Sequence, residues 1–186
     1  MNSTGVEILT NPERHAHIVY PYTDEGRLSD AVCLFASSGL RKGEAVLLVL
    51  SERHYDPFRL RLENGGFNLA ELEESGQLVC ENAANLLGTF MFDGVLDEHK
   101  FKTKLARLIE KAKLGSGPRK HGLVRIFGEM VDLMWGSHPT ATARLEELWN
   151  EVIEIHSVPL LCAYSLSGKR ETLPRQLLSC HSHAIP

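Results

Sequence analysis

The chain has 186 residues and a formal net charge of −4, long enough for one domain with a sizeable core and without the basic surplus that direct nucleic-acid binding needs. Hydrophobic residues make up 43% and charged residues 24%, the balance of a globular protein, and no apolar run is long enough to span a bilayer. The opening "MNSTGVEILTNPERH" lacks the charged start and apolar core of a signal peptide. The four cysteines, Cys33, Cys80, Cys162 and Cys180, form no C-x-x-C pair, so reduced packing thiols in a cytoplasmic protein are expected.

The first strand is expected over His15–Tyr20. A helix follows from Asp24 to Ser38, because Leu28, Ala31, Val32, Phe35 and Ala36 recur at helical spacing. Thr23 suits its N-cap and Gly39 its C-terminal stop. Ala45–Leu50, "AVLLVL", is apolar throughout and reads as a strand buried on both faces of a parallel sheet. "HYDPFRLRLENGGF" and Asn68–Ser75 read as two shorter helices, and Leu78–Glu81 as the third strand. A long amphipathic helix spans Asp97–Leu114, with Phe101, Leu105, Leu108 and Ala112 inward and Lys100, Lys104, Arg107 and Lys111 on a solvated face. "GSGPRKHG" at 115–122 is a loop. "LVRIFGEM" at 123–130 holds the fourth strand and its exit, and a helix follows from Pro139 to Ile155. "VPLLCAYSL" at 158–166 is the fifth strand, and Pro174–His181 the last helix. Strand alternating with helix implies an α/β sandwich around a mostly parallel sheet.

Ligands of such sheets bind beyond the carboxyl ends of the strands. The first such turn, "YPYTDEGRLSD", has one glycine and no lysine, unlike a phosphate-binding loop. Asp24 and Glu25 stand where the helix dipole favours an anion, so a phosphate there would meet two carboxylates. "GSGPRK" lies between a helix and a strand, the reverse of the order a phosphate loop requires. No dinucleotide fingerprint and no G-x-S-x-G elbow occurs. "CHSH" at 180–183 is the only dense Cys/His cluster. Its residue types suit a soft metal, but its spacing matches no common zinc pattern, and a helix end running into a tail is expected. Neither a metal nor a cofactor is expected. His54, His99, His121 and His156 are isolated in the sequence and read as surface or core histidines.

Arg125 interrupts an apolar strand, and Glu129 follows that strand directly. A buried guanidinium needs a partner, and Glu129 and Glu81 are the candidates. Two readings stay open: an internal ion pair, or a Glu129 carboxylate presented to a ligand. Tyr20, Tyr22, Phe127, Trp135 and Tyr164 suit the wall of an apolar pocket for a small organic molecule, or, for Phe127 and Trp135, simply core.

The segments "GLRKGEAVLLV" at 39–49, "VRIFGEMVDLMW" at 124–135, "LEELWN" at 145–150, "LLCAYSL" at 160–166 and "LLSCHSHAIP" at the end resemble, in order and spacing, the MEDS or methanogen/methylotroph sensory domain. The resemblance covers nearly the whole chain. It implies a RecA/KaiC-like three-layer α/β sandwich that has lost its phosphate loop, with an N-terminal extension over 1–14, one sensory domain over 15–183 and a tail over 184–186. It also implies a non-catalytic module of a signal-transduction or transcription-regulation system that takes a small, apolar or hydrocarbon-derived ligand. Its partners would be a histidine kinase or transcription-regulator domain in the same or another chain. A homodimer fits too; direct contact with nucleic acid or membrane is not expected. Arg125, Gly128 and Glu129 match the family's R-x-x-G-E segment. With Tyr20, Tyr22, Thr23, Glu81 and Tyr164 they form the expected ligand-binding set. The competing expectations are a residual nucleotide-binding ATPase and a ligand-free interaction domain.

Overall fold

The computed structural model describes residues 1–115, 123–166 and 172–185; the loop expected at "GSGPRKHG" falls almost wholly outside them. The elements in chain order are α1 (Ser3–Thr10), β1 (His17–Tyr22), α2 (Glu25–Arg41), β2 (Ala45–Leu50), α3 (Glu52–Asn64), α4 (Leu69–Ser75), β3 (Leu78–Asn82) and α5 (Ala83–Leu87). A hairpin of β4 (Met91–Phe92) and β5 (Val95–Leu96) follows, then α6 (Glu98–Gly115), β6 (Val124–Gly128) and α7 (Met130–Met134). The chain continues through α8 (Pro139–His156), β7 (Leu160–Ser165), α9 (Arg175–Leu178) and β8 (His183–Ala184).

Six strands form one parallel sheet in the order β3-β2-β6-β7-β1-β8. Parallel neighbours need crossovers, and their fixed hand sends helices to one face or the other according to the direction of travel. Strand residues accordingly alternate between two cores. Ile18, Tyr20, Leu48, Phe127 and Leu161 pack with Leu28, Phe35 and Phe58 beneath α1–α4. Val19, Leu47, Ile126, Leu160 and Tyr164 pack with Phe101, Leu105, Leu145 and Trp149 beneath α6–α9. This is a three-layer α/β sandwich. Phe127 is wholly buried and Trp135 nearly so, which makes both core.

Several boundaries differ from expectation for local reasons. Asp24, not Thr23, caps α2, its carboxylate accepting the Arg27 N–H at 2.8 Å. Gly39 does not stop that helix, which runs on to Arg41; the positive-φ glycine is Gly43. The helix α1 lies in the segment taken as an extension and packs its Leu9 into the core. At the other end Ala184 pairs with Val19 in β8, and Ile185 is buried. The β4–β5 hairpin has no counterpart among the expected elements, although its "DG" turn is a strong local signal; Asp93 and Gly94 both have positive φ.

Arg125 does not meet Glu129 or Glu81. It sits at the second position of β6, toward the amino edge, where its Nε donates to Glu44. Its Nη atoms donate to the carbonyls of Leu9 (3.0 Å), Phe35 (3.2 Å) and Thr10 (3.1 Å). One buried guanidinium thus joins β6 to α1, α2 and the turn before β2. Gly39 is where α2 lets that side chain pass. A Cβ on Gly39 would stand 2.8 Å from Arg125 Cδ and Nε. Gly39→Ala should therefore lose about 1–3 kcal/mol through overpacking, where helix propensity alone predicts a gain of about 1 kcal/mol. Urea unfolding decides by the sign.

Candidate ligand site at the strand carboxyl edge

Adjacent strands whose chains leave toward opposite faces open a crevice at the carboxyl edge. Here β2 leads to α3 and its neighbour β6 to α7 and α8, on the other face; β1 and β7 diverge likewise. Both crevices hold side chains of the protein itself.

In the first, Glu129 follows β6 with its N–H still on Val49 O. Its buried carboxylate turns to the start of α3. It accepts the Ser51 N–H at 2.7 Å and the Ser51 hydroxyl at 3.1 Å. His54, one turn into α3, directs Nδ1 to Glu129 and Nε2 to Glu25 of α2. With a carboxylate at each ring nitrogen, the imidazolium is the form that satisfies both. Burial alone would lower the His54 pKa, but the hydrogen bonds and charges of Glu129 and Glu25 outweigh it and raise the pKa above 6.5. His54 also stacks on Phe58, ring centroids 5.0 Å apart.

In the second crevice, Asp132 of α7 accepts the Ser165 N–H at 2.8 Å. Arg53, half-exposed, donates to Tyr22 Oη at 2.5 Å and to Asp132 at 3.1 Å, and reaches Glu25 at 3.5 Å. Burial raises the Asp132 pKa, partly offset by the Ser165 N–H and Arg53.

The expected site residues distribute unevenly. Tyr22, Thr23 and Glu129 are at this edge. Tyr20 is packed in the core, its hydroxyl 3.5 Å from Arg27 O, so the two tyrosines form no open wall. Glu81 is partly exposed on the edge strand β3. Gly128 ends β6 against Leu160 and Trp149 on the α6–α9 face. Arg125 is at the opposite edge, as above. Tyr164 is buried on the α6–α9 face and donates to Glu146 of α8. The rule that ligands bind at strand carboxyl ends nominates Ser51–His54 from the sequence, and with it Ser51, Arg53 and His54. Nothing local links them to Glu25 and Asp132, which strand order alone brings to them.

Open space lies beside this network. A cleft of about 540 Å³ is lined by Ser51, Glu52, Arg53, Asp132 and Leu133. Across Leu133, another of about 540 Å³ runs between α5, α7 and the hairpin, lined among others by Leu87, Met91, Met134, Ser137 and His138. A more polar hollow of about 530 Å³ adjoins both, between Glu52, Tyr55, Asp56 and the end of β3. A separate trough on α6, of about 330 Å³, lies among Thr89, Lys100, Lys104 and Arg107, between long basic side chains.

The family model described as "MEthanogen/methylotroph, DcmR Sensory domain" (MEDS) matches residues 16–182. The chain belongs to the MEDS family. A comparison with curated proteins finds no match. The family is defined as sensory, and in this MEDS domain the Glu129–His54–Glu25 bridge and the Arg53–Asp132 contact tie α2, α3 and α7 together around the cleft mouth. Among the described residues no helix is long and apolar enough to cross a membrane.

Glu129→Ala strands a buried imidazolium beside two unanswered Ser51 donors and should cost about 3–5 kcal/mol in chemical denaturation. The raised His54 pKa adds stability that is fully present below about 6.5, the unfolded value, and is lost as pH rises through the folded-state value. Thermal unfolding across that window should show the decline in the wild type and not in His54→Gln. An equal decline in both would remove His54 as its source.

Proposed function

We propose that this MEDS domain is a non-catalytic cytoplasmic sensor of a small, mainly apolar organic molecule held at the strand carboxyl edge. The carrying observation is the pair of clefts meeting at Leu133. One wall is apolar, with Leu87, Met91 and Met134, and a few polar groups, Arg53, Ser137 and His138, stand at its margins. That mixture suits an organic ligand. The positions that would take a phosphate argue the same way. Asp24 caps α2, Glu129 accepts the N–H at the start of α3, and Asp132 accepts the N–H at the end of β7. An incoming anion would have to displace an internal carboxylate at each.

The output would pass through α7. That helix carries Leu133 and Met134 toward the clefts and Asp132 toward Arg53, directly after Glu129. A ligand seated on Leu133 favours one setting of α7 and so of the contacts to α2 and α3. A histidine kinase or regulator domain, in the same or another chain, would read that setting. A second reading, an interaction domain without a ligand, is favoured by exposed Phe92, Val95 and Leu133 around the hairpin.

Thermal-shift measurements with short alkanes, alcohols and haloalkanes test the first reading. At about 100 times its dissociation constant a ligand should raise the melting temperature by about 5–10 °C. Leu133→Asp, at a surface position, should abolish the rise. A rise with ATP and magnesium instead, with hydrolysis lost in Glu129→Gln, would establish the nucleotide-binding alternative and overturn this reading. No shift with any organic probe would favour the interaction domain.

A further inference from the structure

On the α6–α9 face of the sheet, four side chains from distant parts of the chain converge below the surface: His17 of β1, Glu146 of α8, Cys162 of β7 and His181, just after α9. One ligand atom from each lies within 4.8 Å of all the others. His17 Nε2 is 3.2 Å from Glu146 Oε2 and 3.4 Å from Cys162 Sγ. Cys162 Sγ is 3.8 Å from the same carboxylate oxygen, and His181 Nε2 is 3.4 Å from Glu146 Oε1. Tetrahedral zinc with bonds of about 2.0–2.3 Å spaces its ligand atoms about 3.3–3.8 Å apart. The three separations among His17 Nε2, Cys162 Sγ and Glu146 Oε2 are close to three edges of such a tetrahedron, and His181 Nε2 approaches from the side of the other carboxylate oxygen.

The surroundings fix how the rings are presented. His17 Nδ1 faces two oxygens, Asn150 Oδ1 at 2.9 Å and Cys180 O at 3.1 Å, so it carries the proton. Asn150 is itself oriented, its amide donating to Cys180 O at 3.0 Å. His181 Nδ1 faces Leu177 O at 2.8 Å and carries its proton likewise. Each neutral ring then turns the lone pair of Nε2 inward, toward a carboxylate and a sulfur. Metal-binding histidines are held in this manner, with the outer nitrogen donating to a carbonyl or amide oxygen. Without a cation the arrangement is poor. His181 Nε2 is buried and makes no hydrogen bond, its nearest polar neighbour being an acceptor. Tyr164 donates to Glu146 Oε1 and leaves Oε2 for the centre. One carboxylate and one thiolate together neutralise a divalent ion, and the donor set of two imidazoles, a thiolate and a carboxylate suits zinc.

We propose that His17, Glu146, Cys162 and His181 bind one zinc ion in a closed, buried site. All four positions are filled by protein, so the ion is structural. It fastens the segment after α9, which carries β8 to the edge of the sheet, onto β1, β7 and α8. Of "CHSH", only the first histidine takes part. Cys180 contributes its carbonyl to hold His17.

The test uses the full chain, expressed with added zinc and also refolded from denaturant with zinc or cobalt(II). Elemental analysis should find one zinc per chain. The cobalt form should show the intense absorption of a tetrahedral site and a thiolate-to-cobalt band that Cys162→Ser removes and Cys180→Ser keeps. His181→Ala should weaken zinc binding by about 100-fold or more, and Asn150→Ala by about 10–100-fold through ring orientation; circular dichroism establishes that each is folded. Chelation should lower the melting temperature of the wild type and leave that of His181→Ala unchanged. A folded wild type that takes up no stoichiometric metal by either route overturns the proposal, leaving a protonated hydrogen-bond network. Loss of the thiolate band in Cys180→Ser but not in Cys162→Ser overturns it too.

Discussion

A charge taken out of water must be answered at close range, and three such charges organise this molecule. Arg125 is answered at the amino edge by Glu44 and three carbonyls. Glu129 is answered at the carboxyl edge by Ser51 and His54. Glu146 is answered on the α6–α9 face by Tyr164 and flanked by His17 and His181. Each centre joins elements that are remote in sequence. Apolar packing supplies most of the driving force for folding, while these centres set which helix and which strand end meet.

At the carboxyl edge the protein answers its own backbone donors. Parallel topology still opens crevices beyond β1 and β2 and still aims backbone N–H groups at them. Carboxylates of the protein now occupy those donors, bridged by His54 and Arg53. Open volume lies beside the crevices, at α5, α7 and the hairpin, with an apolar lining that includes Leu87, Met91 and Met134. In the proposed reading, a ligand on α7 would act on a network already linking α2, α3 and α7.

Much of this was legible from periodicity. Ala45–Leu50 matched its strand, and the helices around Leu28–Ala36, Phe101–Ala112 and Leu145–Val152 formed with the expected faces inward, although Ile155, expected inward on the last of them, is exposed and Ile153 is buried in its place. Turn composition also carried information that was passed over, as in Asp93-Gly94. Charge partnerships were not legible. Arg125 has Glu129 four residues away, yet the pleat and the strand direction place them at opposite ends of β6, and its partner is Glu44 from the turn before the adjacent strand. His54 looked isolated because Glu25 and Glu129 lie on other elements.

By itself the sequence determined the α/β class, most strand and helix faces, and the acidic start of α2. All of these follow from residues within a few turns of one another, where spacing and local composition decide. Only the tertiary structure decided that His54 bridges two carboxylates, that Arg125 secures α1, and that His17, Glu146, Cys162 and His181 share one centre. Those outcomes depend on strand order and on the hand of the crossovers, which bring together side chains that no local pattern connects.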